Sequence, residues 1–144
     1  MAEIRRINDQ ISVAPQIDPA DVTELARQGF VAVINNRPDD EDAGQPSGES
    51  VRRAAETLGL AYHAIPVTHA GFSGHQVEAM RAALDGANGP VLAFCRSGTR
   101  STNLWALAEA SKGEQPEALM EQAAGAGYNI TGIRPLLDQL SGKA

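Results

Sequence analysis

A single cysteine in 144 residues excludes a disulfide within the chain and a second thiol that would resolve an oxidised first one. That scarcity fits a reducing compartment. No run of apolar residues is long enough to span a bilayer. The opening stretch Met1-Ala2-Glu3-Ile4-Arg5-Arg6 lacks the apolar segment of a secretory leader, so the expected location is the cytoplasm. Positive charge is also short: 12 Lys and Arg against 18 Asp and Glu leave a net charge of −6. A surface of that sign does not draw in nucleic acid or an anionic membrane, so any anion site must be local. The three histidines are not spaced as ligands, and with a lone cysteine neither a metal site nor a cofactor is expected.

What is present reads as one ordinary globular domain covering residues 1–144, with 42% hydrophobic and 21% charged residues. Ile4–Ile7 and Gln10–Val13 flank the turn signal Asn8-Asp9 and predict a small hairpin. Asp18-Pro19 predicts a helix start, with aspartate as cap and proline in the first turn, running to about Gln28. Strands are predicted at Phe30–Ile34, Leu60–Val67 and Pro90–Phe94, and helices at Glu49–Leu58, Ser73–Leu84 and from Thr102 to about Lys112. Two more helices are expected near Gln115–Ala124 and Thr131–Leu140. This alternation predicts an α/β fold, a mainly parallel central sheet flanked by helices on both faces. The loops Asn35–Gly48, Thr68–Gly74 and Cys95–Ser101 then share the sheet edge where such folds bind ligands.

The chemistry concentrates in Phe94-Cys95-Arg96-Ser97-Gly98-Thr99-Arg100-Ser101. A buried strand stops at the cysteine, a polar glycine-containing loop follows, and a helix begins. Backbone N–H groups, the helix dipole and the Arg100 guanidinium all favour thiolate over thiol, and the thiolate is the nucleophile. Gly98 supplies the backbone freedom that lets N–H groups converge, with Arg96, Ser97 and Thr99 completing an anion-binding loop. Ser101 is read either as a helix cap or as a hydroxyl that hydrogen-bonds the thiolate. Arg37 either lines the pocket or pairs with Asp39 and Asp40. His69 is either an acid or substrate contact or an exposed loop histidine. His63 and Trp105 read as structural, and His75 as a solvated residue at a helix start.

The Cys95–Ser101 segment resembles the anion-cradling loop of protein tyrosine phosphatases and rhodanese-type sulfurtransferases. Four residues separate Cys95 from Arg100, the rhodanese spacing; the phosphatase pattern has one more. Val33–Pro38, Tyr62–Val67, Ser73–Val77 and Asn103-Leu104-Trp105 resemble segments of dual-specificity phosphatases. Together, from Ile4 to about Leu140, the chain resembles the beta-lactamase-hydrolase-like protein, phosphatase-like domain family, also described as phosphatase-fold sulfurtransferases. The resemblance implies a tyrosine-phosphatase-like fold and sulfane-sulfur chemistry, with a persulfide dioxygenase-type enzyme as partner. It departs from the phosphatase pattern where Phe94 precedes the cysteine and where the loop Pro66–Phe72 has no aspartate to act as general acid; Asp39, Asp40, Glu41 and Asp42 reach the site only if their own loop folds over. The expected function is therefore transfer of sulfane sulfur from thiosulfate or a glutathione persulfide through a Cys95 persulfide. A phosphomonoester phosphatase working through phosphocysteine and a non-catalytic anion-binding module are the alternatives.

Overall fold

The computed structural model describes residues 2–143; Met1 and Ala144, the ends of the expected domain, lie outside the described residues. Five strands, β1 (Arg5–Arg6), β2 (Ile11–Ala14), β3 (Ala32–Asn35), β4 (Ala61–Ala64) and β5 (Val91–Phe94), form one sheet in the order β1-β2-β5-β3-β4. Only β1 runs antiparallel, through the predicted hairpin with β2. In register, Ala14 lies opposite Phe94, Phe94 opposite Asn35, and Asn35 opposite Ala64. The parallel strands therefore end level, and the residue after each of them starts on the same edge.

Six helices cover the faces: α1 (Asp21–Arg27), α2 (Gly48–Thr57), α3 (Gly74–Asp85), α4 (Thr99–Ala110), α5 (Pro116–Gly125) and α6 (Arg134–Gly142), the last preceded by a 3-10 turn at Thr131–Ile133. Side chains alternate across the pleat of the central strands, so each strand feeds two cores. Val33, Leu92 and Phe94 meet Val22 and Leu25 of α1 and Val51 and Ala55 of α2. Ile34, Val91 and Ala93 meet Met80 and Leu84 of α3 and Leu104, Trp105 and Leu107 of α4. Burial on both faces explains the apolar runs Ala32–Ile34 in β3 and Val91–Phe94 in β5. Trp105 is fully buried, in keeping with the packing role read from the sequence.

Two helix starts differ from expectation. The first helix begins at Asp21, not Asp18, and no side chain caps it from Ala20. The Asp21 carboxylate instead accepts the Asp18 N–H at 2.8 Å, closing the turn from inside the helix. The helix after Cys95 begins at Thr99, three residues earlier than predicted, because Gly98 at φ +91° supplies the turn itself. Ser101 is thus inside the first turn and is not the cap. The start of α3 is a capping box: the Ser73 hydroxyl accepts the Gln76 N–H, and the Gln76 side chain accepts the Ser73 N–H. The Gln76 amide also donates to the Pro66 carbonyl at 2.9 Å, tying the Pro66–Ser73 loop to its helix.

Candidate active site

Cys95 closes β5 at the level edge of the sheet, its backbone N–H donating to the Ala14 carbonyl at 3.4 Å. The residue is fully buried. The chain then turns so tightly that the Gly98 N–H points back and donates to Cys95 Sγ at 3.1 Å. The Gly98 carbonyl points the other way and accepts both the Thr102 N–H at 3.0 Å and the Thr102 hydroxyl at 2.8 Å. Ser97 and Thr99 face solvent, their hydroxyls 3.0 Å apart. Arg96 is exposed, its carbonyl accepting the Gln16 N–H and its side chain loosely paired with Asp42 at 3.6 Å. The Ser101 hydroxyl is buried without a hydrogen-bond partner. The bond from that hydroxyl to the sulfur, one of the two roles read from the sequence, is therefore not formed.

Arg100, in the first turn of α4, is the cation of the site. Its Nη1 donates to Glu41 Oε2 at 2.7 Å and to the Val67 carbonyl at 2.7 Å, while Nη2 donates to Glu41 Oε1 at 2.8 Å. This is the bidentate fork that suits a guanidinium and a carboxylate. Glu41 foremost and the nearby Cys95 sulfur raise the Arg100 pKa, against the burial that lowers it.

The loop carrying the acidic run does fold over the site, and Arg37 is what anchors it. Arg37 is buried; its Nε donates to Glu41 at 2.9 Å, its Nη2 to Asp42 at 2.7 Å and its Nη1 to Gln16 at 3.1 Å. The expected pairing with Asp39 and Asp40 is not formed: Asp39 accepts the Gly48 N–H instead, and Asp40 turns the chain at φ +64°. That turn brings Glu41 back between the two arginines. Arg37 also lines a cleft of about 440 Å³ with Asn35, Tyr62 and Pro66, and no residue of the Cys95 loop lines it. His69 is exposed and no hydrogen bond joins it to the Cys95 loop among the described residues, which fits its reading as a loop histidine.

Hydrogen bonds from Arg100, seconded by Arg37, hold the Glu41 carboxyl down to about 2 against the burial that would raise it. Glu41 is consequently ionised at neutral pH and cannot donate a proton. A carboxyl depressed in the folded state contributes stability above its ordinary pKa of 4.5, and this is lost as pH falls through about 2. Glu41→Gln is therefore expected to cost about 2–3 kcal/mol near pH 7 and to flatten the loss of stability on acidification. Urea midpoints of both proteins, measured at neutral pH and at about pH 3, check this; equal differences at the two pH values would contradict it.

Comparison with known proteins gives the chain a family and a fold. Residues 3–112 match the beta-lactamase hydrolase-like protein, phosphatase-like domain. The chain belongs to that family. It is 39% identical over 108 residues to a beta-lactamase hydrolase-like protein of Agrobacterium fabrum, a match covering 75% of this chain and 25% of that protein. The chain thus spans about a quarter of the length of the curated relatives it matches. A Neisseria meningitidis crystal structure described as a candidate phosphatase is 33% identical, with a TM-score of 0.83 over 95% of this chain and 97% of that one. Tk-PTP in its active form, at 21% identity, shares the fold with a TM-score of 0.76 over 98% of this chain and 97% of its own. The domain has a tyrosine-phosphatase-like fold, and family and neighbours point to an enzyme.

The Cys95 loop is where the sequence places it, and Arg37 joins it through Glu41. Gln16 and the Val67 carbonyl are participants that sequence reading missed. Neither carries a signal in the sequence: one is an amide in a loop and the other a backbone oxygen.

Proposed function

We propose that this family member transfers sulfane sulfur through Cys95. The carrying observation is that, among the described residues, the carboxylates that fold over the site, Glu41 and Asp42, are both held by arginines. Glu41 is ionised and held by two arginines, Asp42 is paired with Arg37, and Asp39 is engaged by Gly48. Phosphate ester cleavage needs a proton for its leaving alkoxide. Sulfur transfer does not. The Cys95 thiolate attacks the outer sulfur of thiosulfate or of a glutathione persulfide, the new S–S bond forms, and sulfite or the glutathione thiolate leaves with the electron pair of the bond that breaks. An acceptor thiolate then attacks the outer sulfur of the Cys95 persulfide, and Cys95 leaves as thiolate. The four-residue spacing between Cys95 and Arg100 supports the same reading, since it makes a smaller cradle than a phosphoryl group requires. On this reading the natural partner is an enzyme of the persulfide dioxygenase type, which consumes persulfide sulfur.

The phosphatase reading is favoured by the phosphatase-like description of the family and by the likeness to the Neisseria meningitidis structure. One preparation separates the two. Intact mass spectrometry after incubation with thiosulfate or glutathione persulfide is expected to show a gain of one sulfur atom, removable by cyanide or a thiol, while hydrolysis of an aryl phosphate stays weak. Efficient aryl phosphate turnover with no sulfur adduct would establish the phosphatase instead.

A further inference from the structure

We infer that Tyr128, beyond the segment that matches the family, is a positioning residue for the Cys95 nucleophile, acting through the single peptide unit between Ser97 and Gly98. The Tyr128 hydroxyl donates to the Ser97 carbonyl at 2.9 Å. A trans peptide is planar, with its C=O and N–H pointing in opposite directions. Holding the Ser97 oxygen outward therefore directs the Gly98 N–H inward, onto Cys95 Sγ at 3.1 Å. The alternative is a flipped unit, which glycine at φ +91° permits at little steric cost and which would turn a carbonyl oxygen toward the sulfur. That arrangement opposes a thiolate, so the orientation of this one peptide biases the charge state of the nucleophile.

The surroundings fit this role. A Cβ on Gly98 would lie 2.1 Å from the Tyr128 hydroxyl oxygen, so hydroxyl and glycine occupy complementary space. Tyr128 is buried, and its own N–H is fixed to the Ala123 carbonyl at 2.9 Å at the end of α5. The Arg5 guanidinium sits over the ring, 5.5 Å from its centre. Burial is the main cause that raises the phenol pKa, so the hydroxyl keeps its proton and donates. The role holds whichever group Cys95 attacks, and its test uses neither a sulfur donor nor a phosphate.

Cys95 is the chain's only thiol, so alkylation by iodoacetamide reports on it alone. Tyr128→Phe removes one oxygen and keeps the ring. It is expected to slow alkylation near neutral pH roughly three- to tenfold, the effect of one lost hydrogen bond, and to move the pH profile upward. Fluorotyrosine at position 128 keeps the shape, makes the hydroxyl a stronger donor and polarises the peptide, and is expected to move the profile downward. Arg5→Met loosens the ring without touching the hydroxyl bond and is expected to leave the profile in place. Profiles for Tyr128→Phe and fluorotyrosine that overlay the wild type would overturn the inference, and so would an equal shift in Arg5→Met. If Tyr128→Phe does not fold, the fluorotyrosine profile decides alone.

Discussion

Cys95→Ser is expected to reduce turnover to background with the fold intact. An alcohol needs a base to become a nucleophile, and among the described residues no carboxylate or histidine is hydrogen-bonded at this position. His69 is exposed on its loop, and the Glu41 oxygens are taken by Arg100 and Arg37. Packing changes little, because serine is close in shape to cysteine and the Gly98 N–H keeps an acceptor 3 residues before it in the chain. Activity on each candidate substrate, intact mass after exposure to a sulfane donor, and a thermal melt together check this. Turnover that survives in the serine variant would mean that Cys95 is not the nucleophile.

Arg100→Lys is expected to lower kcat/KM by roughly ten- to over a hundredfold, the effect of losing one or more charge-assisted bonds of about 1.5–3 kcal/mol. A lysine ammonium is a point charge. It can meet one Glu41 oxygen or the Val67 carbonyl, but cannot fork across both carboxylate oxygens while keeping the carbonyl. The loss has two parts, a weaker grip on an anion and a looser acidic loop. Comparing Arg100→Lys with Glu41→Gln in the same assay separates them: the lysine variant is expected to lose more activity, and the glutamine variant more of the acid-dependent stability. Near wild-type turnover in Arg100→Lys would show that the guanidinium does not grip the substrate.

The elements that place Cys95 are legible in the sequence because they follow from periodicity. β3 and β5 are apolar runs covered on both faces, and the turn after β5 announces itself by a glycine between a cysteine and an arginine. The acid run Asp39–Asp42 is different. Which carboxylate reaches the arginines depends on the backbone turn at Asp40, and φ +64° is a conformation that aspartate tolerates but that no periodicity in the sequence announces. Glu41 is therefore found only in three dimensions. Asp18-Pro19 misleads for a related reason: it carries a sound helix-start signal, but Asp21 captures the Asp18 N–H and moves the start inward. Tyr128 gives no sign of its role in the chain, since its partner is a backbone carbonyl 31 residues away.

The strand that ends in Cys95 is hydrogen-bonded on both sides, to β2 and to β3, while β1 and β4 form the margins of the sheet. Amide hydrogens on a doubly paired central strand exchange with solvent chiefly when the whole domain opens, whereas those on marginal strands exchange through local fraying. Val91–Phe94 and the Cys95 amide, bonded to Ala14, are accordingly expected in the slowest-exchanging set of this molecule, which hydrogen exchange followed by NMR checks. The nucleophile is then attached to the part of the protein expected to come apart last. Heating should therefore remove catalytic activity and backbone structure in one cooperative transition, with Ala61–Ala64 and Arg5–Arg6 losing protection well before it.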